Sequence, residues 1–167
     1  AIIATEVINI LPVTATADMI QQIQLNDPNA ASNFTNKIAE VDPQVAGNLS
    51  FSLSETNPEF AMSMSLEMVS VNPEAAKEIT SSLLGNESDF LPSFINNIII
   101  ENKNLVDDIV GVIIDQSSES AVNIITDLSS IRSENTKIFM ESVASNNIDF
   151  GVQLTEEVSY NDIGLAS

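Results

Sequence analysis

Pro28, Pro43, Pro58 and Pro73 stand fifteen residues apart, and each follows Asp or Asn: Asp27-Pro28, Asp42-Pro43, Asn57-Pro58 and Asn72-Pro73. A fixed short period means one supersecondary unit copied along the chain, and that constrains the fold more than any composition could. With Asp or Asn at column 2 and Pro at column 3, the period outlasts the prolines. Column 9 reads Phe34, Leu49, Met64, Ile79, Phe94, Ile109, Ile124, Phe139 and Leu154. Column 13 reads Ile38, Leu53, Met68, Leu83, Ile98, Ile113, Leu128, Val143 and Val158. Column 6 is mostly small or apolar, from Ala31 to Ala121, with Thr136 and Gly151 departing; column 4 is acidic or amide throughout. An earlier repeat places Ala15, Met19 and Ile23 on columns 5, 9 and 13.

Each copy reads as a short helix. Asp or Asn caps an orphan amide, Pro at the first helical position surrenders an amide with no partner, and an acid faces the positive end of the dipole. Apolar columns 5, 6, 9, 10 and 13 then share one broad face. That leaves a helix of about eleven residues and about four to turn the chain, so neighbours are expected to be antiparallel. A helix this short is marginal alone and must be buried against its neighbours. The expected fold is all-α: an α-solenoid of stacked short antiparallel helices built from about eleven repeats. The whole of 1–167 reads as a single array, excerpted from a longer repeat protein, because it opens and closes inside repeats.

Two alternatives stand beside it. Leu49-Ser50-Phe51-Ser52-Leu53-Ser54 alternates like a strand, and a fifteen-residue coil is compatible with a β-solenoid. Column 11, which that reading needs apolar, is so only at Phe51 and Leu66. A right-handed coiled coil fits a repeat of about 3.75 residues per turn, and the proline-free stretch after Lys103 suits it best. Prolines inside a continuous helix oppose it at about 3 kcal/mol each. Local departures carry their own expectations. Pro92, at column 7, should delay or kink its helix; Gly47 and Gly111 should weaken theirs; Gly85 should serve as a C-terminal cap. The apolar runs Phe94 to Ile100 and Leu105 to Ile114 should form the best-buried centre.

Function is constrained mainly by exclusion. The chain has 24 acidic and 5 basic residues, a formal charge of −19. Such a surface repels nucleic acid and anionic lipid, whose binding relies on basic groups. No apolar run approaches the roughly 18 to 20 residues that span a bilayer, so no membrane insertion is expected. Without His or Cys there is no imidazole base, thiol nucleophile or usual zinc ligand set. No catalytic residue, cofactor or small-molecule substrate is implied, and the chain reads as a non-enzyme. Asp107, Asp108 and Asp115 are calcium candidates because carboxylates bind hard cations, though no EF-hand loop surrounds them. Phe51, Met62 and Leu66 lie off the core columns and form the candidate protein-interaction patch. The expected role is a structural or scaffold segment of a larger filamentous or surface-associated assembly, with self-assembly or another protein as partner. The alternative is an acidic binding module for a basic protein or calcium. The Asn- and Ser-rich, lysine-poor composition is associated with export, favouring a bacterial surface, periplasmic or extracellular location.

Overall fold

The computed structural model describes residues 10–161, except for the side chains of Ser118 and 157–161. The described chain is all-helical, and no strand occurs among its residues. The helices are α1 (Val13–Asn26), α2 (Pro28–Val41), α3 (Pro43–Ser54), α4 (Pro58–Val71), α5 (Glu74–Gly85), α6 (Leu91–Glu101), α7 (Val106–Ile131), α8 (Ser133–Asn146) and α9 (Ile148–Asn161). A 3-10 turn, Lys103–Leu105, precedes α7. Their contacts divide the chain between Phe90 and Leu91 into two compact lobes.

The column-2 residue makes the joint between helices. Asp27, Asp42, Asn57, Arg132 and Asn147 all lie near φ −150° and ψ +90°, an extended conformation flanked by helix. The Asp42 amide donates to Ile38 O at 2.8 Å, completing α2, while its carbonyl accepts from Ala46 N at 3.1 Å, opening α3. Its carboxylate accepts from Gln44 N and Val45 N, both at 3.1 Å. One residue therefore closes one helix and caps the next. The following proline favours this geometry by crowding the α conformation of the residue before it.

This corrects the expected division of each repeat. Most helices run 14 residues, about 21 Å, and several joints are single residues rather than turns of about four. The joint needs no separate turn because its backbone bonds belong to both helices. Ser117 confirms the period where no proline marks it: at φ −161° and ψ 88° it breaks α7 at column 2. The proline-free stretch is thus kinked, contrary to a continuous coiled coil. Pro92 sits as the second residue of a helix that starts late, at Leu91.

The exception at column 2 is Glu87, whose φ of +51° is left-handed. Ser88 N donates to Leu83 O at 2.9 Å and Glu87 N to Leu84 O at 3.1 Å, a Schellman ending of α5. Gly85 is expected as the cap, but it ends α5 in helical geometry, and none of the described glycines has positive φ. The left-handed position has fallen two residues later, on a residue with a Cβ. Glu87→Gly should therefore raise stability by about 0.5–1 kcal/mol, read as a higher urea midpoint.

Burial follows the columns. Column 6 is buried from Ala31 to Gly151, including the departures Thr136 and Gly151. Column 9 is buried from Leu49 to Leu154, with Phe34 half-buried; column 13 is buried from Ile38 to Val143, and the Val158 side chain lies outside the described residues. In the apolar runs 94–100 and 105–114, Phe94, Ile95, Ile98, Ile99, Leu105, Val106, Ile109, Val110 and Ile113 are buried, Val112 and Ile114 are half-buried, and Ile100 is exposed. Column 10 departs from its apolar expectation. In the first lobe it is a buried hydroxyl series, Thr35, Ser50, Ser65 and Thr80; in the second it is Ile95, Val110 and Ile125. The hydroxyls find partners: Thr80 donates back to Ala76 O of its own helix at 2.8 Å, and Ser65 donates across to Ser50 Oγ on α3 at 3.0 Å. A hydroxyl bonded back to its own helix is buried with little penalty.

Candidate interaction surface

Within each lobe, helices pack on the next and also on the one after. In the first lobe α1 meets α2 and α3, α2 meets α4, and α3 meets α5; in the second α6 meets α7 and α8, and α7 meets α8 and α9. Polar side chains stitch the second neighbours. Ser32 on α2 donates to Glu67 on α4, Ser82 on α5 donates to Asn48 on α3 at 3.1 Å, and Asn135 on α8 donates to Asn96 on α6 at 2.8 Å. The Ser32–Glu67 bond and that from Ser142 to Asp107 both join columns 7 and 12, two repeats and five residues apart. That spacing is visible in the sequence, but only once second-neighbour packing is known.

Asn72 also bridges second neighbours. Its Nδ2 donates to Ala39 O at 2.8 Å, satisfying a terminal carbonyl of α2, while its Oδ1 accepts from Glu74 N at 3.1 Å. The C-terminal ends of α2 and α4 are thereby held side by side. Asn72→Ala should lose about 1–2 kcal/mol, with Asn72→Asp between it and the parent because it keeps only the acceptor. Urea denaturation of both variants measures this.

The residues singled out from sequence fall differently. Phe51 lies on α3, and Met62 and Leu66 on α4; all three are half-buried, on helices that pack together. Asp107 and Asp108 are exposed in the first turn of α7, where carboxylates favour the helix dipole, and Asp115 is exposed two turns on. The Asp107 carboxylate accepts the Ser142 hydroxyl. Among the described residues no three carboxylates converge as a cation would need.

Four of the five cations pair locally: Lys37 with Glu40, Lys77 with Glu74 at 3.3 Å, Arg132 with Glu134 at 3.7 Å and Lys137 with Glu141 at 3.8 Å. These exposed pairs contribute little to stability. They leave the 24 acidic residues largely uncompensated.

The exposed apolar side chains lie elsewhere. Leu25, Val41, Val71, Ile100 and Ile131 sit at helix C-terminal ends. At column 1, Val41, Val71 and Ile131 are apolar, whereas Asn26, Thr56, Asn86, Glu101, Gln116 and Asn146 are polar. Ile148 and Val152 on α9 are exposed and border an open groove of about 280 Å³, with Ala144, Gly151, Thr155 and Glu156. No described helix is long and apolar enough to cross a membrane. Comparison with protein-family models, characterised proteins and solved structures finds no match.

Proposed function

We propose that the chain is a non-enzymatic structural segment, an α-solenoid whose fifteen-residue repeats stack as helices in pairs and whose repeated surfaces build a larger assembly. The observation that carries this reading is the second-neighbour stitching, seen within each lobe. A stack with two helices per turn brings every other helix into contact, and its repeat interfaces are the same wherever they occur. The residue inventory supports a structural role: no His or Cys, and serines committed to helix and interhelix hydrogen bonds.

The excess of carboxylates favours a second reading, an acidic module for a basic protein. The two separate in one experiment. Light scattering and electron microscopy of the purified chain without ligand should show self-association under the scaffold reading. Under the binding reading the chain stays monomeric, and a lysine-rich peptide or calcium raises its melting temperature.

A further inference from the structure

We infer that the edge of the first lobe where Asp42 and Asn72 turn the chain receives the same edge of a second copy, about a two-fold axis. This rests on the assembly reading and names its contact surface.

Each repeat helix runs from one joint to the next, so within a lobe successive joints fall at opposite helix ends. In the first lobe Asp27, Asn57 and Glu87 turn the chain along one edge, and Asp42 and Asn72 along the other. The bond from Asn72 Nδ2 to Ala39 O, 2.8 Å long, holds the ends of α2 and α4 together at that second edge. Val41 and Val71, 45% and 40% exposed, are the last residues of those two helices and so lie close together. Column 1 of the opposite edge is the exposed and polar Asn26, Thr56 and Asn86.

Charge divides along the same line. Within five residues of Asp27, Asn57 and Glu87 stand five acids (Asp27, Glu55, Glu59, Glu87 and Asp89), all exposed, and no cation. Within five residues of Asp42 and Asn72 stand Lys37 and Lys77, each paired with a carboxylate, Glu40 and Glu74. The second lobe, taken by itself, has the same division. Lys103, Arg132, Lys137 and the exposed Ile100 and Ile131 all fall within five residues of Asn102 or Arg132. Asp115, Glu119 and Asp149 fall as near to Ser117 or Asn147, with no cation. Leu25 and Ile148, exposed beside Asp27 and Asn147, are the apolar exceptions.

All five cations of a chain carrying −19 are thus gathered near the joints that expose Val41, Val71, Ile100 and Ile131. That distribution selects the occupant. A basic partner is drawn to the all-acid edge and meets lysines at the other. A second copy finds the reverse: its acid edge is repelled, while its Asp42–Asn72 edge brings both signs of charge and two valines that leave water on contact. A two-fold contact between identical edges is closed, so association through it begins with a dimer.

The test is sedimentation of the 167-residue chain over a range of protein concentrations at about 0.15 M salt, where screening acts beyond about 8 Å. Val41→Glu and Val71→Glu should each weaken dimer formation by about tenfold or more. Val41→Gln and Val71→Gln, which add no charge, should weaken it in the same direction. Asn26→Glu and Asn86→Glu place the same extra charge at column 1 of the opposite edge and should leave it within about twofold. Denaturation midpoints check that every variant stays folded. A short lysine-rich peptide should leave the dimer intact; a peptide that dissociates it by occupying the Val41–Val71 edge overturns the inference in favour of a basic partner. Equal effects of the substitutions on the two edges also overturn it, and leave the assembly reading standing. A chain that stays monomeric at every concentration overturns both.

Discussion

Gly47→Ala should destabilise the first lobe by on the order of 2–3 kcal/mol, although Gly→Ala inside a helix ordinarily gains about 1 kcal/mol. A Cβ at position 47 would lie 2.4 Å from the carbonyl oxygen of Glu78 and 2.7 Å from its carbon. Those atoms belong to the α5 backbone and cannot swing aside as a side-chain tip can. α3 and α5 must separate, which loosens packing around Ala46, Leu49 and Ile79, all buried. Gly111→Ala is the matched control. Its Cβ would meet only Asn146 Oδ1 at 3.8 Å, an ordinary contact, so this substitution should stabilise by up to about 1 kcal/mol. Urea denaturation of both variants gives the sign directly. Equal shifts in one direction would falsify the close approach of α3 and α5.

Phe139→Ala should cost about 3–5 kcal/mol, the range for removing a fully buried aromatic ring. The Phe139 side chain is fully buried at column 9 of α8, a helix packed on α6, α7 and α9. Phe34→Ala removes the same atoms from the same column of α2, where the ring is half-buried. Less apolar surface returns to water and solvent fills much of the space, so the loss there should be roughly half as large. Equal losses at the two positions would show that column, rather than burial, sets the energy. The comparison needs calorimetry or a probe in each lobe, because the residues lie on opposite sides of the Phe90–Leu91 boundary.

Much of the candidate surface was hidden in the sequence. Phe51, Met62 and Leu66 are off-column and apolar, yet the α3–α4 contact half-buries them. The exposed apolar residues are helix-end and α9 positions such as Val41, Val71, Ile148 and Val152. Column 1 does not announce the first two, because it is polar at Asn26, Thr56, Asn86, Glu101, Gln116 and Asn146. The aspartates fared similarly: Asp107 turned out to bond across to α8, a partner 35 residues away that no local pattern names.

What the sequence determined by itself is whatever depends on neighbours along the chain. Asp or Asn before Pro stops one helix and starts another, columns 6, 9 and 13 face inward, and the fifteen-residue spacing continues through Ser117 and Arg132 without proline. Capping, the missing proline amide and helical periodicity act within one or two turns, so residue identities suffice. Only the tertiary structure decided that one residue serves as a joint, that α3 and α5 touch at Gly47, that column 10 can bury hydroxyls, and that packing divides after Phe90. Each of these turns on how closely separate helices approach, and that distance is set by the shapes of side chains far apart in the chain.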